Sequence, residues 1–181
     1  MLKINNRIAL GSTAPHAILR PVNPIFIAFS FGVALTLNLL PWGRMWVVPD
    51  FLALVLVFWN VKQPRKVGMG LAWLFGMLMD VHAGSMLGEH ALAYTLLAYF
   101  AIALHRRVPW FSAWGQAAHV LPLFVGAQLV MFIIRLLSGG MAPPWWLYLQ
   151  GLATAVLWPL VSWLLLAPQH RAHNRDDTRP L

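Results

Sequence analysis

The sequence contains no cysteine, and only 10% of its 181 residues are Asp, Glu, Lys or Arg. Without cysteine, the chain can form no disulfide, thiolate nucleophile or cysteine-ligated metal site. Apolar side chains dominate what remains and make up 60% of the chain. A soluble domain of this length could not bury so much apolar surface, because a small domain keeps a large share of its surface in contact with water. The composition therefore predicts an integral membrane protein, whose solvent is the lipid bilayer.

The few charges are strongly biased, with 13 Lys and Arg against five Asp and Glu, which gives a formal net charge of +8. In a polar chain, this excess would suggest a nucleic-acid partner. Here the cations lie in tails and in short loops between apolar runs, where they act as orientation signals for membrane insertion. We therefore expect no nucleic-acid partner.

Six apolar runs approach the roughly 20 residues needed to cross a bilayer. They are Pro24–Leu40, Val47–Val61, Val67–Met79, Met86–Leu104, His119–Leu137 and Leu147–Ala167. The second and third runs are short. If these two runs formed a re-entrant hairpin instead of two crossings, Lys62, Arg65 and Lys66 would lie in hydrocarbon. Each cation there costs about 2.5 to 3.5 kcal/mol. We therefore predict an all-α polytopic membrane protein with about six transmembrane helices, the last of them kinked at Pro159.

The distribution of cations along this pattern predicts the orientation of the chain. Eleven of the 13 cations (13 minus Arg44 and Arg135) lie in the tails and loops of one side. By the positive-inside rule, that side and both termini are cytoplasmic. The predicted organisation is a polar tail at residues 1–23, a six-helix membrane domain at 24–167 and a second polar tail at 168–181.

Small residues recur every four positions through the third run and beyond it. Residues four apart share one face of a helix, and a face of small residues lets two helices approach closely. The predicted packing face consists of Gly68, Ala72, Gly76, Gly84 and Gly88. Such a face serves either packing within the chain or contact with another membrane protein.

Charged residues near the bilayer form a second candidate site. Asp50, Asp80 and Glu89 map to the outer side, as does Arg135, which lies inside an apolar run near its far end. An ionisable group within a span is a functional hypothesis that requires a partner. We expect Arg135 to pair with Asp80 or Glu89, between which the sequence does not choose. The alternative is that these residues are interfacial charges that hold helix ends in water.

Enzyme motifs are not found. Asp80, His82, Glu89 and His90 lack the spacing of a His-Glu-x-x-His metal site. No Gly-x-Ser-x-Gly elbow occurs either, and no serine has a base paired with it at a known spacing. We predict a protein that is not an enzyme and that binds no cofactor or metal.

Several stretches in the middle of the chain resemble the MreD family of bacterial rod shape-determining proteins. The similar stretches are the run from Pro49 to Trp59, Pro64-Arg65-Lys66-Val67-Gly68, Gly76-Met77-Leu78-Met79-Asp80, Leu87 to Tyr94, and His105-Arg106-Arg107. The resemblance covers roughly residues 20 to 170 and is most specific between Pro49 and Arg107.

This resemblance implies a non-enzymatic protein of the bacterial cytoplasmic (inner) membrane. Members of the family belong to the elongation machinery, which couples cytoplasmic MreB filaments to cell-wall synthesis through MreC. The implied partners are MreC, the glycosyltransferase RodA and a class B penicillin-binding transpeptidase, with MreB reached indirectly. The family also resembles the substrate-binding components of vitamin transporters in fold. A small-solute-binding subunit of a transporter is therefore the alternative, and self-association to a homo-oligomer is left open.

Overall fold

The computed structural model describes residues 23–42, 47–140 and 149–170. In order, the helices are α1 (Pro24–Leu39), α2 (Phe51–Lys62), α3 (Met69–Ala83), α4 (Glu89–Leu104), α5 (Ala113–Leu137), α6 (Leu149–Val156) and α7 (Trp158–His170), with a 3-10 turn at Val108–Trp110. These residues contain no strand, so the all-α prediction is confirmed for the described part of the chain. Arg44 and nearly all of the two predicted tails lie outside the described residues.

Each predicted run corresponds to one apolar helical segment. Within the described ranges, two segments are long and apolar enough to cross a membrane by length and composition: Ala113–Leu137 with 25 residues and Leu149–Pro168 with 20. Helices α1 to α4 are shorter, with 16, 12, 15 and 16 residues. The number of helical segments therefore agrees with the sequence prediction, whereas the lengths of the first four fall below the usual span of about 20 residues.

Helix α2 is the core of the bundle. Every residue from Leu52 to Asn60 is buried, in contact with α1, α4, α6 and α7. A helix that is apolar on all sides is stable only when other helices surround it. Its 12 residues extend over about 18 Å, less than the roughly 30 Å hydrocarbon core of a bilayer. Because α2 is enclosed by protein, this short length does not expose its ends to lipid.

Side-chain caps set where several helices begin. Asn23, Asp50 and Ser112 each accept a hydrogen bond from a backbone amide in the first turn of α1, α2 and α5. Such caps satisfy N–H groups that have no acceptor within the helix. The Ser112 cap explains why α5 begins at Ala113 and not at His119, where the apolar run begins.

The last apolar run is interrupted where the sequence predicted a kink. The run is divided into α6 and α7, which are separated at Leu157. Pro159 has no N–H to donate to the carbonyl one turn earlier, and its ring crowds that carbonyl, so the regular helix is interrupted there.

Candidate functional site

Polar side chains from five helices meet at one end of the bundle, where α1, α3 and α5 end and α2, α4 and α6 begin. We call this region the polar end. It consists of Asn38, Asp50, Asp80, Ser85, Glu89, His90, Tyr94, Arg135 and Thr154, which are joined by the hydrogen bonds described below. All four charged residues predicted from the sequence lie here.

Asp50 connects four helices. Its carboxylate accepts hydrogen bonds from the Asn38 amide at 2.8 Å and from the Tyr94 hydroxyl at 2.6 Å. Its backbone N–H donates to the Thr154 hydroxyl at 3.0 Å, and the next N–H, of Phe51, donates to the Asn38 side-chain oxygen at 3.0 Å. Hydrogen bonds to a charged acceptor are about twice as strong as neutral ones. The Asp50 network therefore fixes the ends of α1, α2, α4 and α6 against one another.

A cavity of about 20 Å³ adjoins this network, lined by Asp50, Tyr94, Gln128, Gln150 and Thr154 among others. That volume holds about one water molecule. Sites for small organic ligands are typically about 300 to 1,000 Å³. The Asp50 cavity is therefore too small for a solute the size of a vitamin.

Asp80, which is fully buried at the end of α3, caps the start of α4. Its carboxylate accepts from the backbone N–H groups of Gly88 at 2.8 Å, His90 at 2.7 Å and Ala91 at 3.3 Å. The Ser85 hydroxyl at 3.0 Å and His90 Nδ1 at 2.8 Å complete the set. The residue at the N-cap of α4 is Gly88, which has no side chain to cap the helix, so the carboxylate of α3 supplies the acceptor. A negative charge is favourable at a helix N-terminus.

Arg135 pairs with Glu89, which settles the choice that the sequence left open. Arg135 Nη2 lies 2.5 Å from Glu89 Oε1, with 3% of the Glu89 side chain exposed and 33% of the Arg135 side chain. The pair joins the start of α4 to the end of α5. A carboxylate buried to this extent needs a charged partner, because its desolvation is otherwise uncompensated.

The predicted small-residue face is confined to Ala72 and Gly76. A Cβ added at Gly76 would lie 2.4 Å from Ala91 Cα, so α3 and α4 approach at backbone contact there. Gly68, Gly84 and Gly88 instead lie at helix ends, with open space where a Cβ would be. The four-residue spacing fails beyond Asp80 because α3 ends at Ala83. Gly84 and Gly88 serve the α3–α4 turn through positive φ angles of 60° and 106°, which favour glycine.

The hydrogen bonds of the polar end link helices of the same chain. Within the described residues, no three His, Cys, Asp or Glu side chains are grouped to hold a metal ion. The buried carboxylates of Asp80 and Glu89 are directed at donors of the same chain, and those donors join helices. The arrangement fixes helix ends in place.

Several residues that bond to Asp50 or Asp80 were not predicted from the sequence as their partners. Among them, Tyr94 and His90 contact the carboxylates, and the Thr154 hydroxyl accepts from the Asp50 backbone N–H. The only signal in the sequence was that Tyr94 and Thr154 are polar residues inside apolar runs. Their contacts could not be predicted, because these also depend on how each helix is rotated about its axis.

The fold and the polar end are consistent with a class, that of helical membrane proteins whose charged groups are bonded within the chain and whose outer surface is apolar. The family model described as rod shape-determining protein MreD matches residues 19–167. Rod shape-determining protein MreD of Haemophilus influenzae is 31% identical over 137 residues, which cover 75% of this chain and 85% of that relative. No solved structure matches the chain. The chain belongs to the MreD family, which confirms the resemblance inferred from its motifs.

Membership supports a role in determining cell shape. The family consists of membrane proteins that belong to the MreBCD shape complex and are structural, not known as enzymes.

Proposed function

We propose that this chain is a non-enzymatic membrane scaffold of the bacterial cell-wall elongation complex, required for rod shape and lateral peptidoglycan synthesis. In this proposal, it is a multi-pass protein of the inner membrane that crosses about six times, with both termini cytoplasmic. Its direct partner is MreC, through which it is coupled to MreB. RodA and a class B penicillin-binding transpeptidase complete the assembly.

The division of charge between the two ends of the bundle supports this orientation. The polar end holds Asp50, Asp80 and Glu89, whereas the opposite end, which we call the basic end, holds only cations among its described charged residues. These cations are Lys62, Arg65, Lys66, Arg106 and Arg107. The positive-inside rule assigns the basic end to the cytoplasm. Trp110, which is 87% exposed beside Arg106 and Arg107, is typical of a membrane–water interface.

The contrast between the bonded charged groups of the polar end and the apolar side chains outside supports the scaffold role most directly. Large apolar side chains are exposed on the outer faces of most of the helices, among them Phe29, Leu74, Phe100, Leu129 and Leu164. A protein with this surface meets its partners mainly within the bilayer, where helices associate through close packing. Such contacts suit a subunit that holds other membrane proteins in place.

The alternative, a solute-binding subunit of a transporter, requires a polar cavity of ligand size. The cavity at Asp50 has a volume of about 20 Å³, and the groove at the α1–α3 surface is lined almost entirely by apolar residues. Neither feature favours recognition of a polar solute, so we do not propose this function.

Co-purification in mild detergent discriminates between the two roles. The tagged chain, purified from its own host beside an equally tagged, unrelated polytopic protein, should retain a single-span membrane protein of the MreC type. Specific retention of an ATPase module, without such a protein, would contradict the scaffold and support the transporter subunit.

A further inference from the structure

A lateral groove of about 670 Å³ lies between α1 and α3. The two helices contact each other through the stacked rings of Phe31 and Phe75, whose centroids are 4.9 Å apart. The groove also includes Gly32, where an added Cβ would meet no atom within 4 Å. It extends along α1 from Leu35 to Pro24 and reaches Lys66 at the basic end.

The length of the groove suits a lipid acyl chain. From Pro24 to Leu35, α1 rises about 17 Å at 1.5 Å per residue, close to one leaflet of a hydrocarbon core of roughly 30 Å. An acyl chain is much thinner than a helix about 10 Å in diameter and can bend with the walls of the groove.

The charge at the end of the groove is suited to an acidic headgroup. Lys66 lines the groove and Arg65, its neighbour in the α2–α3 loop, is exposed. The acidic residues of the described chain all lie at the polar end, on the far side of the bundle. Basic pockets between transmembrane helices on the cytoplasmic side are typical sites for acidic lipid headgroups.

We propose that the α1–α3 groove binds an anionic phospholipid of the inner leaflet, with one acyl chain along α1 and α3 and the phosphate at Arg65 and Lys66. The leaflet assignment rests on the orientation in the proposed function, which makes the basic end cytoplasmic. Binding of the lipid itself depends only on the groove and its cations, and can therefore be tested separately from the scaffold role.

Native mass spectrometry of the full chain, delipidated in detergent and then mixed with equal amounts of phosphatidylglycerol and phosphatidylcholine of the same acyl length, tests the headgroup preference. We expect preferential retention of phosphatidylglycerol. The double variant Arg65→Gln/Lys66→Gln should lower that retention by about fivefold for each charge removed. The matched control is Arg106→Gln/Arg107→Gln, which removes the same charge from the same end outside the groove and should retain the lipid.

Filling the groove tests the position of the acyl chain. Gly32→Phe places a ring in open space at the groove, and Gly126→Phe does the same in the α4–α5 groove, where an added Cβ also meets no atom within 4 Å. Only Gly32→Phe should displace the phosphatidylglycerol. Equal retention of the two lipids, equal losses in the two charge variants, or full retention by Gly32→Phe would overturn the proposal. If Gly32→Phe does not fold, the charge variants still decide it.

Single-cysteine variants test whether a second copy occupies the groove and, separately, whether the orientation is right. Each signal is specific because the chain contains no cysteine of its own. An oxidative dimer formed by Gly32→Cys would place a second copy in the groove and overturn the lipid proposal. Labelling of Gln63→Cys from outside the cell would contradict the orientation in the proposed function while leaving lipid retention in detergent unaffected.

Discussion

The three carboxylates of the polar end contact different kinds of donor, so their replacement should have different consequences. Asp50 accepts from side chains of two other helices, Asp80 mainly from backbone N–H groups, and Glu89 from a guanidinium. Removing a carboxylate leaves buried donors unsatisfied, at about 1 to 3 kcal/mol for each such group. The interfacial-charge alternative instead predicts only small effects, because exposed charges contribute little.

Asp80→Asn should lower the free energy of unfolding by about 2 to 3 kcal/mol, because the amide cannot accept at both positions and has no charge to stabilise the α4 N-terminus. Reversible unfolding in mixed detergent micelles measures the change. His82→Gln, an exposed position two residues along α3, is the control and should stay within about 0.5 kcal/mol of wild type. Equal stability of Asp80→Asn and wild type would show that the cap is dispensable.

Arg135→Gln should destabilise by about 3 to 5 kcal/mol, since it leaves the Glu89 carboxylate buried without a cation. The double variant Glu89→Gln/Arg135→Gln removes both charges and should be more stable than Arg135→Gln alone. A double-mutant cycle on the same unfolding assay gives the coupling energy, which we expect to exceed about 1 kcal/mol. Strict additivity of the two single changes would mean that the ion pair contributes nothing measurable.

At the scale of elements, the α3–α4 hairpin depends on backbone contact at one position and on a cap between helices. Gly76 allows Ala91 to approach, Asp80 binds the start of α4, and Gly84 and Gly88 supply the positive φ angles of the turn. All four of these positions were predicted from the sequence as functional or packing residues. Only Gly76 has the predicted packing role among the three glycines, because the regular spacing does not indicate where a helix stops.

Gly76→Leu should force α3 and α4 apart, because even a Cβ would lie 2.4 Å from the Ala91 backbone. We expect reduced accumulation in the membrane and loss of partner retention, measured by immunoblotting and by co-purification. Gly70→Leu is the matched control, since Gly70 is exposed on the same helix and an added Cβ there meets nothing within 4 Å. Equal accumulation and partner retention by the two variants would contradict the close approach.

Features that depend on neighbouring residues could be predicted from the sequence, whereas features that depend on tertiary packing could not. The break near Pro159 and the number of apolar segments were predictable, because proline chemistry and hydropathy act within one turn or one run. The choice of Glu89 over Asp80 as the partner of Arg135 was not predictable. It depends on the rotation of α4 and α5, which distant packing decides. The start of α5 directly after its cap, Ser112, was not predicted, because a capping residue is polar and lies outside the apolar run.

For the whole molecule, the proposed orientation predicts which loops are accessible from outside the cell. Gln63 follows α2 at the basic end and Ser138 follows α5 at the polar end. A membrane-impermeant maleimide should label Ser138→Cys in cells with a permeabilised outer membrane, and Gln63→Cys only after lysis. The chain has no competing cysteine, so each signal comes from one site. Labelling with the reverse accessibility would contradict the proposed orientation.

The central claim, that this chain is a scaffold for rod-shaped growth, is tested most directly by depleting it in its own host and imaging cell shape and sites of wall synthesis. We expect rounded, swelling cells with delocalised wall synthesis, restored to rods by wild type and by Gly70→Leu but not by Gly76→Leu. Depleted cells that stay rod-shaped and instead require a vitamin or another supplied solute would contradict it.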